Sequence, residues 1–136
     1  MTPEALATVH ATAFERPWDA AAFASLLAQP GVVALGEEDG FILIRSVLDE
    51  AEILTLAVRP EARRRGYGRS LVEASARHAR AVGADRLYLE VAEDNAAALA
   101  LYQATGFTVT GRRPGYYARP DGPNMAAILL ARNLAD

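Results

Sequence analysis

Residues 53–71 constrain this chain more than any other stretch. An apolar strand ending at Leu56-Ala57-Val58 runs through Arg59-Pro60 into an arginine and glycine turn that opens a helix. Such a turn is built to hold phosphates. Gly66 and Gly68 remove side chains where a ligand meets backbone, and the first amides of the next helix are unpaired, with the positive end of the macrodipole behind them. Arg63, Arg64, Arg65 and Arg69 add cations at the same spot. A nucleoside triphosphate loop fails here, since no Lys-Ser or Lys-Thr pair follows the glycines. A dinucleotide fingerprint fits less well than its Gly66-x-Gly68 suggests: its third glycine position is Leu71, and Arg59 to Arg65 separate strand from first glycine. The plain alternative is a solvated basic turn that happens to start a helix with glycine.

The rest of the chain frames that turn. A length of 136 residues suits a single domain, 1–136, long enough to bury a core. No apolar run reaches the roughly 18 residues of a membrane span, and the amino terminus lacks the basic start and apolar block of a signal peptide. Zero cysteines exclude disulfides, thiolate metal sites and cysteine nucleophiles, so no metal is expected and a cytoplasmic location is. A net charge of -3 argues against nucleic acid as partner, because duplex binding relies on a basic face.

Periodicity predicts helices over 2–13, capped by Thr2, and over 19–28, capped by Asp19. Strands over 32–35, 41–47 and 52–58 form an antiparallel meander. A helix over 66–82 buries Leu71, Val72, Ala76 and Ala79, and leads to a strand over 86–91 that pairs in parallel with 52–58 through a right-handed crossover. A helix over 95–104, strands over 107–110 and 125–131, and a proline- and glycine-rich loop over 111–124 complete the chain.

A second constellation lies in Leu89-Glu90-Val91, Asn95 and Leu101-Tyr102. Leu87, Leu89 and Val91 alternate onto one face of their strand, which leaves Tyr88 and Glu90 on the other. Taken alone, Glu90 reads as a surface carboxylate on a partly solvated sheet, Tyr102 as a core aromatic and Asn95 as a helix cap. Trp18 reads as a core residue, or as one wall of a substrate entrance between the first two helices. His10 and His78 sit in helices without an obvious partner and read as structural.

Arg63-x-x-Gly66-x-Gly68 preceded by Leu56-Ala57-Val58-x-Pro60 resembles the pyrophosphate motif of the GNAT family of acetyl-CoA-dependent N-acetyltransferases. Further patches are similar to its RimI-like branch, which acetylates protein amino termini. They are Pro17-Trp18-x-x-x-x-Phe23, Leu48-Asp49-Glu50-Ala51, Leu89-Glu90-Val91, Asn95-Ala96-Ala97-Ala98 through Leu101-Tyr102 to Gly106-Phe107, and Tyr116-Tyr117 before Asp121-Gly122. The resemblance implies an α/β GNAT fold: a mixed, mostly antiparallel sheet of six or seven strands with a parallel V-shaped splay, flanked by about four helices. It implies acetyl-CoA as co-substrate, with Leu56, Ala57 and Val58 along the pantetheine arm, Arg64, Arg65, Gly66, Tyr67, Gly68 and Arg69 around the pyrophosphate, and Asn95 touching the cofactor. Glu90 is then the general base, Tyr102 the general acid, and Trp18, Tyr116 and Tyr117 shape the acceptor site. The implied acceptor is a protein amino terminus, such as that of a small-subunit ribosomal protein. A small amine or a lysine is the first alternative, and a non-catalytic acetyl-CoA sensor the second. One departure bears on the acceptor. The branch carries an acidic pair just before an alanine, where this chain reads Pro123-Asn124-Met125-Ala126.

The chemistry suits those roles. An amine must be neutral to attack a thioester, and an α-amino group with a pKa of about 7.7–8.0 needs less help than a lysine at about 10.4. The difference, about 2.5 units, is worth roughly 3.4 kcal/mol. A carboxylate can collect that proton, directly or through one water, and a phenol near 10 lies within about two units of the thiol it would protonate. No covalent enzyme intermediate is needed.

Overall fold

A computed structural model describes residues 1–119 and 122–135; of the Asp121-Gly122 pair, Asp121 lies outside the described residues. Helices α1 (Pro3–Ala13) and α2 (Ala20–Leu27) precede strands β1 (Val32–Glu37), β2 (Gly40–Val47) and β3 (Glu50–Val58). Helix α3 (Tyr67–Ala81), strand β4 (Arg86–Ala92), helix α4 (Ala96–Ala104) and strands β5 (Thr108–Tyr117) and β6 (Met125–Asn133) follow. Three of the helices start where a short polar side chain can accept from an orphan amide. Thr2 accepts from the Ala5 N–H at 3.1 Å, Asp19 from Ala22 at 2.8 Å and Asn95 from Ala98 at 3.1 Å.

The six strands form one sheet in the order β1-β2-β3-β4-β6-β5. All neighbours are antiparallel except β3 and β4, which pair in parallel from Glu50↔Arg86 to Glu52↔Tyr88. That is shorter than the pairing of 52–58 with 86–91 expected from the sequence. The reason lies on the far side of β3. Thr55 pairs with Leu43 and Ile53 with Ile44, so Leu54 is an extra residue in β3. A bulge of this kind bends its strand and sharpens the local twist. Beyond it β3 keeps β2 as partner but parts from β4, and the two strands open into a V.

The sheet divides the apolar residues between two cores. Beneath α3 and α4, Leu71, Val72, Ala76 and Ala79 meet Ile42, Ile44, Leu87, Leu89, Val91 and Leu130. Beneath α1 and α2, Leu6, Val9 and Phe23 meet Phe41, Leu43 and Ala57. Each fully buried Leu, Phe or Val stabilises the fold by roughly 1.5–3 kcal/mol relative to exposure. The alternation on β4 is as expected: Leu87, Leu89 and Val91 are buried in the first core, while Tyr88 and Glu90 line a groove on the opposite face.

Strand β5 runs further than the predicted 107–110. Its ladder with β6 continues through Arg113↔Ala127 to Tyr117↔Met125, with irregularities after Val109 and after Arg113. Pro114 and Gly115 mark the second irregularity, and Gly115 has φ 65. These residues read as loop formers in the sequence. On the outermost strand of a sheet, however, a proline's missing N–H falls at a gap in the ladder, and the strand resumes beyond it.

Candidate active site

The turn between β3 and α3 is shaped by two left-handed residues, Arg64 at φ 64 and Gly66 at φ 73. A Cβ placed on Gly66 would touch nothing within 4 Å, so the backbone angle alone calls for glycine there. Gly68 has a different reason. A Cβ on it would lie 3.4 Å from Leu101 Cδ2, so its missing side chain faces α4 and lets the start of α3 sit close to that helix. Unlike α1, α2 and α4, α3 has no side-chain cap: its N-cap is Gly66, which has no side chain to accept from the first amides. The first-turn amides of Tyr67, Gly68 and Arg69 are thus left for a ligand.

The cations around this turn divide into two kinds. Arg63 Nε donates to the Val58 carbonyl at 3.1 Å and Arg59 Nε to the Glu38 carbonyl at 2.6 Å, so both brace the turn. Arg64, Arg65 and Arg69 are exposed. Tyr67 turns its side chain away: its hydroxyl donates to the Gly40 carbonyl at 3.3 Å, and its ring fills the space a Cβ on Gly40 would need. What Tyr67 offers at the turn is its backbone N–H.

Upstream, Leu56 and Val58 pack against the core beneath α3, and Ala57 is buried in the core beneath α1 and α2. Their backbone pairs with β2 on one edge, while pairing with β4 ends at Glu52. Among the described residues the other edge has no strand partner. An extended ligand can hydrogen-bond along it as a missing strand would.

Glu90 and Tyr102 flank β4 from opposite faces. The Glu90 side chain, 24% exposed, lines a groove of about 550 Å³ bounded by the ends of β2 and β3, by β4 and by β5. Its Oε1 lies 3.4 Å from Arg113 Nη2. Tyr117 belongs to the same neighbourhood: burial, reinforced by the Glu90 charge, pushes its phenol up. Tyr102 is only 6% exposed, packs edge-on against Phe107 with ring centroids 5.5 Å apart, and joins the core beneath α3 and α4. Burial pushes its phenol far above the usual value, so Tyr102 stays protonated but is a weaker acid than a free phenol, and the near match to a thiol expected from the sequence does not hold for the buried side chain.

The remaining predicted residues fall nearby or into the core. Asn95 Oδ1 caps α4 through the Ala98 amide, as the plain reading had it. Tyr116 is 51% exposed, edge-on to Tyr117 at 5.1 Å. Trp18 is half-buried against His10 and Phe23, at 5.0 and 5.6 Å, and does not line the groove. His10 is the correction. It has two partners: its Nδ1 accepts from the Trp18 N–H at 3.0 Å, and its Nε2 lies 3.0 Å from Thr55 Oγ1 on β3. With Nδ1 an acceptor, Nε2 carries the proton and donates to Thr55. The connection holding Trp18 is thereby tied to the strand that opens the V.

Sequence reasoning did not single out Arg112, Arg113 or Arg119 as partners of particular acids. Arg112 Nε contacts Glu93 at 2.6 Å and Arg119 Nη2 contacts Asp94 at 2.9 Å, beside the Arg113–Glu90 pair. The signal was present as acids at 90, 93 and 94 and bases at 112, 113 and 119. Only the sheet order brings the two sets together.

An open V in the sheet with an uncapped, glycine-started helix after β3 is a frame that suits an extended arm ending in phosphates, as in acyl-CoA-dependent transferases. The sequence matches the acetyltransferase (GNAT) family over residues 4–107, and the chain belongs to that family. It is an acetyl-CoA-dependent N-acetyltransferase. Among curated proteins it is 37% identical over 122 residues to the [ribosomal protein bS18]-alanine N-acetyltransferase of Escherichia coli strain K12, spanning 83% of this chain and 79% of that one. The Salmonella typhimurium enzyme of the same name is 40% identical over 89 residues, 65% of this chain and 60% of its own. The crystal structure of the ribosomal-protein-S18-alanine N-acetyltransferase from Escherichia coli superposes with a TM-score of 0.88 and 32% identity, covering 98% of this chain and 88% of that one. Arabidopsis thaliana NAA60 in complex with acetyl-CoA, at 20% identity and a TM-score of 0.82, shares the fold.

Proposed function

We propose that the acceptor is the α-amino group at the start of a protein, of the ribosomal kind named for the Escherichia coli relative, and that acetylation takes place in the cytoplasm. The observation that carries this reading is Glu90 in the groove, two residues past the last pair of β4 with β3, with Tyr102 in the core beneath the sheet's other face. Acetyl-CoA supplies an activated acetyl thioester. The amides of Arg65, Gly66, Tyr67, Gly68 and Arg69 hold its pyrophosphate, with Arg64 and Asn95 beside them, and the open edge of Leu56, Ala57 and Val58 holds the pantetheine amides.

Glu90 attracts the acceptor ammonium from the groove side and takes its proton, directly or through one water. The freed nitrogen forms a bond to the acetyl carbon as the carbon–sulfur bond breaks, and the nitrogen sheds its second proton to water in the groove, where Glu90 also releases the first. Tyr102, on the other face, gives its proton to the departing sulfur and is reprotonated by solvent. Tyr117, beside Glu90, and Tyr116, beside Arg113, bound the acceptor's path. An α-amino group suits this machinery because a single, largely buried carboxylate has about 2.5 pKa units less to overcome than with lysine.

Acetyl-CoA consumption is to be followed with peptides of varied first residue beside polyamines, free amino acids and a peptide with a blocked amino terminus and an internal lysine. Turnover confined to free amino-terminal peptides is the expected result. Faster acetylation of a polyamine or of lysine overturns the acceptor assignment, and no thiol release with any amine leaves a cofactor-binding sensor.

A further inference from the structure

The three ion pairs between the end of β4 and strand β5 are not alike. Arg112 and Arg119 sit in short contacts with Glu93 and Asp94, at 2.6 and 2.9 Å. Arg113, between them, stands off at 3.4 Å from Glu90, and its side chain is 54% exposed. In that same position its guanidinium lies 5.3 Å from the centroid of the Tyr116 ring, within cation–π range, so the ring already holds the cation from its other side. The two short pairs and the ladder with β6 hold the backbone, and the exposed Arg113 side chain needs only to let go of Glu90 while keeping the ring.

On the reading that Glu90 receives the acceptor's proton, the arriving group is an ammonium and must take the place at Glu90 that Arg113 occupies. A guanidinium cannot deprotonate in a protein, so Arg113 can neither donate nor relay that proton. We infer that Arg113 is a placeholder for the acceptor ammonium. It neutralises Glu90 between turnovers, lets go of it while keeping Tyr116 when the substrate cation arrives, and returns once acetylation has converted that cation into a neutral amide. The charge change of the reaction itself drives the exchange: the substrate competes for Glu90 as a cation, and the product has nothing to compete with. Arg113 therefore weakens acceptor binding and hastens product departure, the opposite of a residue that contacts the acceptor directly. This makes it a positioning and specificity residue, acting against amines that arrive uncharged.

The test uses the full chain with an alanine-initiated peptide, its acetylated product and acetyl-CoA. Arg113→Met keeps the stem and removes the charge. It is expected to lower KM for the peptide roughly two- to fivefold, the range of a partly exposed ion pair, and to strengthen inhibition by the acetylated peptide. KM for acetyl-CoA and Tm should stay near parental. Arg113→Lys, which restores a cation, should return the peptide KM toward the parental value. Tyr116→Leu removes the ring that keeps Arg113 and should raise the peptide KM in the parent but not in Arg113→Met, a coupling that a direct Tyr116 contact would not show. An unchanged or raised KM in Arg113→Met overturns the inference, as does independence of the two substitutions. Glu90→Gln separates the two levels of argument: full turnover there removes the base and the inference with it, whereas lost turnover with an unmoved Arg113→Met removes the inference alone.

Discussion

Acid should loosen this protein through one buried imidazole. His10 is 1% exposed and stacked on Phe14 and Trp18 at 4.2 and 5.0 Å, with Phe23 edge-on at 5.3 Å. Burial lowers its pKa from 6.5 to about 4. The sign follows from which state holds the proton. Between those values the unfolded chain binds a proton that the folded chain does not, so stability falls as pH drops from about 6.5 toward 4 and is unaffected above. The full difference of about 2.5 units corresponds to roughly 3.4 kcal/mol, of which about 2 kcal/mol is already lost at pH 5. Protonation also removes the Nδ1 lone pair that accepts from Trp18, so the connection at residues 14–19 should release with it. Urea titrations of the parent and of His10→Gln at several values between pH 5 and 7.5 isolate the effect, because every other titrating group is shared. The parent's stability should fall by about 2 kcal/mol more than the variant's over that interval. Parallel curves would refute the assignment of His10 as a neutral, buried hydrogen-bonding hub.

Three further outcomes are expected at the catalytic strand and the phosphate turn. Glu90→Gln should keep acetyl-CoA affinity and lose about 10² in turnover near neutral pH, recovering as the amine deprotonates unaided at high pH; parental activity at pH 7 would exclude Glu90 as base. Tyr102→Phe keeps the ring against Phe107, so Tm and acetyl-CoA affinity should hold while the single-turnover rate drops by about 10²; a parental rate across pH 6 to 9 would return Tyr102 to a packing role. Because burial raises its pKa, that rate should show no basic limb from Tyr102 over the same range. Gly66→Ala meets no neighbour, so its cost should be the left-handed backbone alone, about 1–2 kcal/mol, seen as a lower Tm with weakened acetyl-CoA binding; an unchanged Tm would show that the turn adopts φ 73 without strain.

Local chemistry made much of this molecule legible. Thr2, Asp19 and Asn95 announce helix starts because the bond each makes is to an amide three residues away, and the alternation of Leu87, Leu89 and Val91 assigns Glu90 its face without reference to other strands. The extra residue at Leu54 was not legible, since a bulge is a relation between two strands and Leu54 differs in no local way from Leu56. Pro114 and Gly115 misled for a related reason: whether they end a strand depends on whether that strand lies at the sheet's edge. The Thr55 partner of His10 and the acids facing Arg112 and Arg119 lie 19–45 residues away in the chain, beyond any periodicity.

The extra residue in β3 also bears on how such a crevice is inherited. Ala51 and Ile53 before it, and Leu56 and Val58 after it, all face the core beneath α3, so the insertion leaves every flanking residue on its proper side. A one-codon deletion at Leu54 would bring those same positions into strict alternation and let β3 stay beside β4 along its length. Substituting the residue for another keeps the count and keeps the opening. The opening between β3 and β4 therefore depends at this position on the number of residues in the strand, and a three-nucleotide loss would threaten it where a change of side chain would not.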